Sequence, residues 1–118
     1  MLRPQRAPTN AMANARIKVP DHLKKGQIFE VRVLIRHPME TAFRYNNVGQ
    51  KIPENIVRSV SCWYNGRLIF EATLHPGIAA NPYFSFFTTA VISGPIELKW
   101  TDSQGVTSSN KANVIVTD

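Results

Sequence analysis

The residues from which this chain could build chemistry are few: three histidines, one cysteine and eight acids. General acid and base work needs two carboxylates placed on opposite sides of a bond, and none of the eight acids falls in a recognisable pair. His22, His37 and His75 are the imidazoles, and both His37 and His75 precede a proline at the end of a predicted strand. A metal site would need further ligands at helical or hairpin spacing. The sequence offers no such cluster, so the histidines read as polar residues closing strands at loop mouths. Cys62 is the single thiol, which rules out an intrachain disulfide and a Cys-x-x-Cys motif. Its neighbours Ile56, Val60 and Tyr64 lie on one strand face, which favours a buried, inert thiol packing as a small hydrophobe. An intersubunit disulfide or contact is the other use open to it. The glycines, Gly26, Gly49, Gly66, Gly77, Gly94 and Gly105, stand singly. There is neither a phosphate-cradling loop nor a glycine arm on which a thiol could swing. No metal and no cofactor is expected.

The elements that would carry these residues follow from periodicity. Turn residues recur every ten residues or so, and the segments between them alternate with period two. Ala15 to Val19 is a short predicted strand stopped by Pro20, and Lys25-Gly26 is a turn. In the long run Gln27 to His37, Phe29, Val31, Val33 and Ile35 share one face while Glu30, Arg32 and Arg36 occupy the other, the pattern of a sheet with one wet side. Met39 to Pro53 is polar and reads as a long surface loop. Asn55 to Tyr64 and Arg67 to Leu74 flank Asn65-Gly66, whose residue types suit the two positive-φ positions of a type I′ hairpin. Leu68, Phe70, Ala72 and Leu74 are expected on one face. His75 to Pro82 is a second loop, Tyr83 to Ser93 a strand, and Gly94-Pro95 a turn. Ile96, Leu98 and Trp100 alternate in the next strand, Asp102 to Gly105 turns again, and Asn110 to Thr117 closes the domain. The result is an all-β fold of about seven antiparallel strands, an immunoglobulin-like β-sandwich. The Cys and Trp pairing of antibody domains is absent.

With 118 residues, 43% hydrophobic and 19% charged, the chain suits one compact domain with a modest core. Residues 15–118 form that domain, preceded by a flexible polar and basic leader over residues 1–14. The leader has no apolar stretch of signal-peptide length and no adjacent arginine pair, so it is not expected to direct secretion. No apolar run reaches the roughly 18 residues needed to span a bilayer, and no membrane association is expected. A formal net charge of +6 biases the chain toward acidic partners. Nucleic-acid binding, or an independent basic module for acidic proteins, is the alternative raised by that charge and by Tyr83, Phe84, Phe86 and Phe87. The basic residues are scattered rather than striped, however, and only Arg44 lies beside an aromatic loop residue, Tyr45. A generally basic surface over core aromatics is the better reading, with no nucleic-acid partner.

Certain residue runs are more specific than a fold class. His37-Pro-Met-Glu-Thr-Ala-Phe-Arg44, then Gly49 and Ile52-Pro53, Cys62-Trp-Tyr-Asn-Gly66, His75-Pro-Gly-Ile-Ala-Ala-Asn-Pro82 and Trp100-Thr-Asp102 closely resemble the SoxZ family in order and spacing. The likeness runs from about Ile17 to Val116. The chain departs from the family pattern at Ala42, where glycine is usual, and at Gly77, where alanine is usual. Both positions lie in predicted loops.

The resemblance implies a non-catalytic subunit of the SoxYZ sulfur carrier complex of thiosulfate oxidation. In that complex the SoxY subunit ends in a Gly-Gly-Cys-Gly-Gly arm whose cysteine carries the sulfur, and SoxZ carries nothing covalently. It further implies a heterodimer with SoxY, transient docking with other enzymes of the pathway, and a periplasmic location reached by export together with SoxY. The two loops combine His, Met, aromatic and Arg side chains in positions suited to partner contact. The expected partner-facing residues are His37, Met39, Glu40, Phe43, Arg44, Tyr45, His75, Ile78, Asn81 and Tyr83, with Cys62 as the possible intersubunit thiol.

Overall fold

In the computed structural model, which describes residues 15–40, 45–75 and 80–118, the period-two segments become two antiparallel sheets packed face to face. One has three strands, β1 (Ala15–Lys18), β3 (Ile28–Ile35) and β6 (Tyr83–Thr89), in the order β1-β3-β6. The other has four, β4 (Val57–Tyr64), β5 (Arg67–Thr73), β7 (Gly94–Asp102) and β8 (Thr107–Val114), in the order β5-β4-β7-β8. Two further two-residue strands, β2 (Leu23–Lys24) and β9 (Val116–Thr117), pair in parallel. They bring the described strands to nine where about seven are expected. No described helix is long and apolar enough to cross a membrane.

The alternation in β3 works as its sequence implies. Phe29, Val31, Val33 and Ile35 are buried while Arg32 is exposed. Facing them, Val57, Val60 and Cys62 of β4 and Ile96, Leu98 and Trp100 of β7 complete the core. Removing such branched and aromatic side chains from water is the main favourable contribution to folding. On one flank Phe70 of β5 stacks on Phe84 and Phe86 of β6, with centroids 5.2 and 4.6 Å apart. These rings join the two sheets, so Phe84 and Phe86 are half-buried packing groups, each with a face taken by Phe70.

Three details differ from the sequence expectation, each for a local reason. Leu68 does not share a face with Phe70 and Ala72, and is 41% exposed. Cys62 pairs with Phe70 and Trp63 with Leu68. Ile69 is therefore an extra, unpaired residue, and a bulge of this kind reverses the alternation beyond it. Gly94-Pro95 is not a turn but the start of β7. Pro95 accepts a hydrogen bond from Asn65 N–H at 2.8 Å through its carbonyl, so its missing N–H faces the end of β4, where no ladder bond is lost. Finally, β8 starts at Thr107 and leaves the four-stranded sheet after Val114; beyond it, Ile115 and Thr117 carbonyls accept from Leu23 and Lys25. The hairpin at Asn65 and Gly66 has φ of 51° and 86°, as a type I′ turn requires.

Candidate functional site

Both motif-bearing loops leave the same end of the sandwich, because β3 ends, β6 begins and β7 ends there. His37 and Asn81 tie the loops together. His37 N–H donates to Asn81 Oδ1 at 2.8 Å, and Asn81 N–H donates back to the His37 carbonyl at 2.6 Å. Asn81 holds φ at 54° to do so, and Met39 has the same left-handed angle. Asparagine tolerates that region because its short amide can bond locally.

His37 lies under the loop. Its Nδ1 accepts the Met39 N–H at 3.1 Å, which places the proton of the neutral ring on Nε2, 3.9 Å from Oδ2 of Asp102. The other Asp102 oxygen accepts from the N–H groups of Gln104 and Val106, both at 3.0 Å. Ser103 continues the connection: its N–H donates to the Ile56 carbonyl, and its Oγ accepts from Ile56 N–H. Asn55 and Glu40 exchange backbone hydrogen bonds at 2.7 and 2.8 Å. Segments 37–40, 54–56, 80–82 and 102–106 thus form one hydrogen-bonded base.

From that base the loop projects a small turn. Asn46 Oδ1 accepts from Val48 and Gln50 N–H, and the bridge between Tyr45 and Lys51 closes it. Its tip is apolar and exposed, with Tyr45 at 66% and Val48 at 76%. An exposed aromatic beside an exposed aliphatic on a braced turn suits protein contact.

The expected partner-facing residues therefore divide. Tyr45, His75, Asn81 and Tyr83 are exposed, and Glu40 is half-buried in its bridge. His37 and Met39 are buried instead, at 9% and 5%, because both turn inward to brace the loop. The Met39 sulfur also accepts from Val57 N–H. Phe43, Arg44 and Ile78 lie outside the described residues, as do Ala42 and Gly77. Val48 and Asp102 are contributors that the sequence does not single out as partner-facing: Asp102 ends the Trp100-Thr-Asp102 run and forms a turn, and nothing local links it to His37.

Cys62 has no exposed surface. It pairs with Phe70 on one side and Leu98 on the other, and burial pushes its thiol up to about 12. An intersubunit disulfide at this sulfur would require β4 to leave the sheet. Among the described residues no three His, Cys, Asp or Glu side chains gather where they could hold a metal ion.

The sequence pattern of the family described as sulphur oxidation protein SoxZ matches residues 17–113. The chain belongs to the SoxZ family. Membership places it in Sox sulfur oxidation, and the matched span contains every element of the hydrogen-bonded base. No curated protein sequence matches it significantly. Among solved structures, a superoxide reductase (neelaredoxin) from Ignicoccus hospitalis is similar, with a TM-score of 0.71 and 20% identity over 97% of this chain and 93% of its own. The sulfur carrier protein SoxY from Chlorobium limicola f thiosulfatophilum is similar at a TM-score of 0.65 and 13% identity, over 98% of this chain and 100% of its own. At these identities the likeness is one of fold. The SoxZ sandwich and the SoxY sandwich share an architecture.

Proposed function

We propose that this chain is the non-carrying subunit of a SoxYZ sulfur carrier, a rigid β module that steadies SoxY and offers a docking surface to the pathway's enzymes. The observation that supports this most is the state of Cys62. A travelling sulfur needs an exposed nucleophilic thiolate on a mobile segment. The chain's only cysteine is instead enclosed between two paired strands, with its thiol held protonated. The sulfur must then ride on the other subunit, and this chain contributes shape and surface rather than chemistry. The braced turn bearing Tyr45 and Val48, together with exposed His75 and Asn81, is the surface we assign to the enzymes. A periplasmic location, reached together with SoxY, belongs to the same reading.

Charge gives the test. A chain with formal charge +6 should meet an acidic subunit faster than a neutral one would, and the advantage should fall as salt shortens the screening length from ~30 Å at 0.01 M to ~10 Å at 0.1 M. Stopped-flow mixing with SoxY should show an association rate that drops several-fold over that range. A rate insensitive to salt would remove the role given to the charge. Tight binding to unrelated single-stranded DNA at physiological salt, without SoxY binding, would favour a nucleic-acid module instead.

A further inference from the structure

Strand β6 reads Tyr83-Phe-Ser-Phe-Phe-Thr-Thr89, and it is an edge. Natural sheets protect their edges with charge, proline, bulges or cover, because a bare row of N–H and C=O groups is a template for another strand. The other edges of the two main sheets are protected in these ways. β1 carries Arg16 and Lys18, and its Ala15 carbonyl is capped by the Asn110 amide at 2.9 Å. β5 has the bulge at Ile69 and the charges of Arg67 and Glu71. β8 carries Lys111. β6 has no charge, proline, glycine or bulge.

The direction of its backbone groups follows from the ladder. Ile35 N–H donates to the Pro82 carbonyl at 2.9 Å, and Ala90 N–H to the Gln27 carbonyl at 2.8 Å. Antiparallel pairs alternate between bonded and non-bonded, so Phe84, Phe86 and Thr88 bond toward β3. Tyr83, Ser85, Phe87 and Thr89 therefore point their carbonyls and amides away from it. No described strand pairs with that side. Their side chains also face out, with Tyr83 at 61% and Phe87 at 67% exposure.

We infer that β6 is completed by an extended strand of the SoxY subunit, which adds to the edge at Tyr83–Thr89 and continues the β1-β3-β6 sheet into the partner. The inference rests on the two-subunit reading above. The charge on this sheet favours an acidic occupant over a second copy of this chain. In register across its outer face stand Arg16, Leu34 and Tyr83, then Lys18, Arg32 and Ser85. Arg32 is paired with Glu30 at 3.0 Å, and Arg16 and Lys18 add two further positive charges. A second copy of this chain would join two such faces, each on a body of charge +6, into one sheet against their mutual repulsion. An acidic partner with β-branched or aromatic side chains opposite Tyr83 and Phe87 meets attraction instead. The sulfur carrier protein SoxY is similar in fold over 98% of this chain, and an open sandwich of this kind ends in edge strands.

The test uses the full chain with SoxY. Ser85→Pro removes an outward amide at an edge position where proline is tolerated; it should fold and melt close to wild type yet bind SoxY at least tenfold more weakly. Phe87→Lys, an edge-protecting charge, should do the same and serves if the proline variant misfolds. In the wild-type complex, amide hydrogen exchange at Ser85, Phe87 and Thr89 should slow at least tenfold relative to the free chain. If wild type binds SoxY while those amides exchange unchanged and both variants bind normally, strand addition at β6 is wrong and the two-subunit reading survives. If wild type does not bind SoxY at all, both are wrong. Slowed exchange in the chain alone at high concentration would make a second copy the occupant and overturn the choice of SoxY.

Discussion

Cys62 and Tyr64 lie two positions apart on β4, both side chains turned into the core, and burial does something different to each. For Cys62 it disfavours the thiolate. The folded chain therefore keeps its thiol proton up to about pH 12, whereas an unfolded cysteine loses it near ~8.5. The raised value means that stability from this group is full below the unfolded value and falls as pH rises toward the folded one. Cys62→Ala removes that dependence at the cost of a small cavity. The stability difference between wild type and Cys62→Ala, measured by urea denaturation, should narrow from pH 9 to pH 11, and a constant difference would mean that the thiol is not enclosed. Tyr64 stays satisfied instead. Its hydroxyl accepts from Val91 and Ile92 N–H, each at 3.1 Å, and donates to the Ile92 carbonyl at 2.5 Å. Tyr64→Phe leaves two amides unpaired and should cost about 1–3 kcal/mol in denaturant unfolding.

At the scale of elements, the loop base depends on segments far apart in sequence meeting at one sandwich end. Asn81 supplies both a left-handed residue and an amide acceptor. Asn81→Gly keeps the angle and loses the acceptor, whereas Asn81→Ala loses both and adds a backbone penalty of roughly 1–2 kcal/mol. Alanine should therefore destabilise more than glycine in thermal melts, and both should speed hydrogen exchange at His37 N–H. Equal effects of the two would show that the left-handed angle carries no cost there. The strand set was largely legible because β3 alternates cleanly and Asn65-Gly66 admits few other conformations. Ile69 was not, since a bulge inserts one residue without altering composition, so Leu68 reads as a partner of Phe70 until the pairing is seen. Pro95 misled for a related reason: a proline marks a turn unless its missing donor faces a place that needs none. The His37 and Asp102 contact spans most of the domain and leaves no local signature. The two loop motifs meet at one end of the sandwich, but their residue types do not tell which of them turn inward, as His37 and Met39 do. Exposure at Val48 depends on the bracket Asn46 builds, which spacing alone does not reveal.

At the scale of the whole molecule, one end holds the braced loops, the outer side of β6 is paired with no strand among the described residues, and the single thiol sits in the core between the sheets. A strand residue can move only a few ångströms before it breaks ladder bonds worth about 1 kcal/mol each, so Cys62 cannot reach into the active site of another protein. The most direct test is intact-mass analysis of the SoxYZ complex after incubation with thiosulfate and the enzymes that load it. The proposed function predicts added sulfur on SoxY alone, with this chain at its unmodified mass. A sulfur-bearing adduct on the peptide containing Cys62 would contradict it.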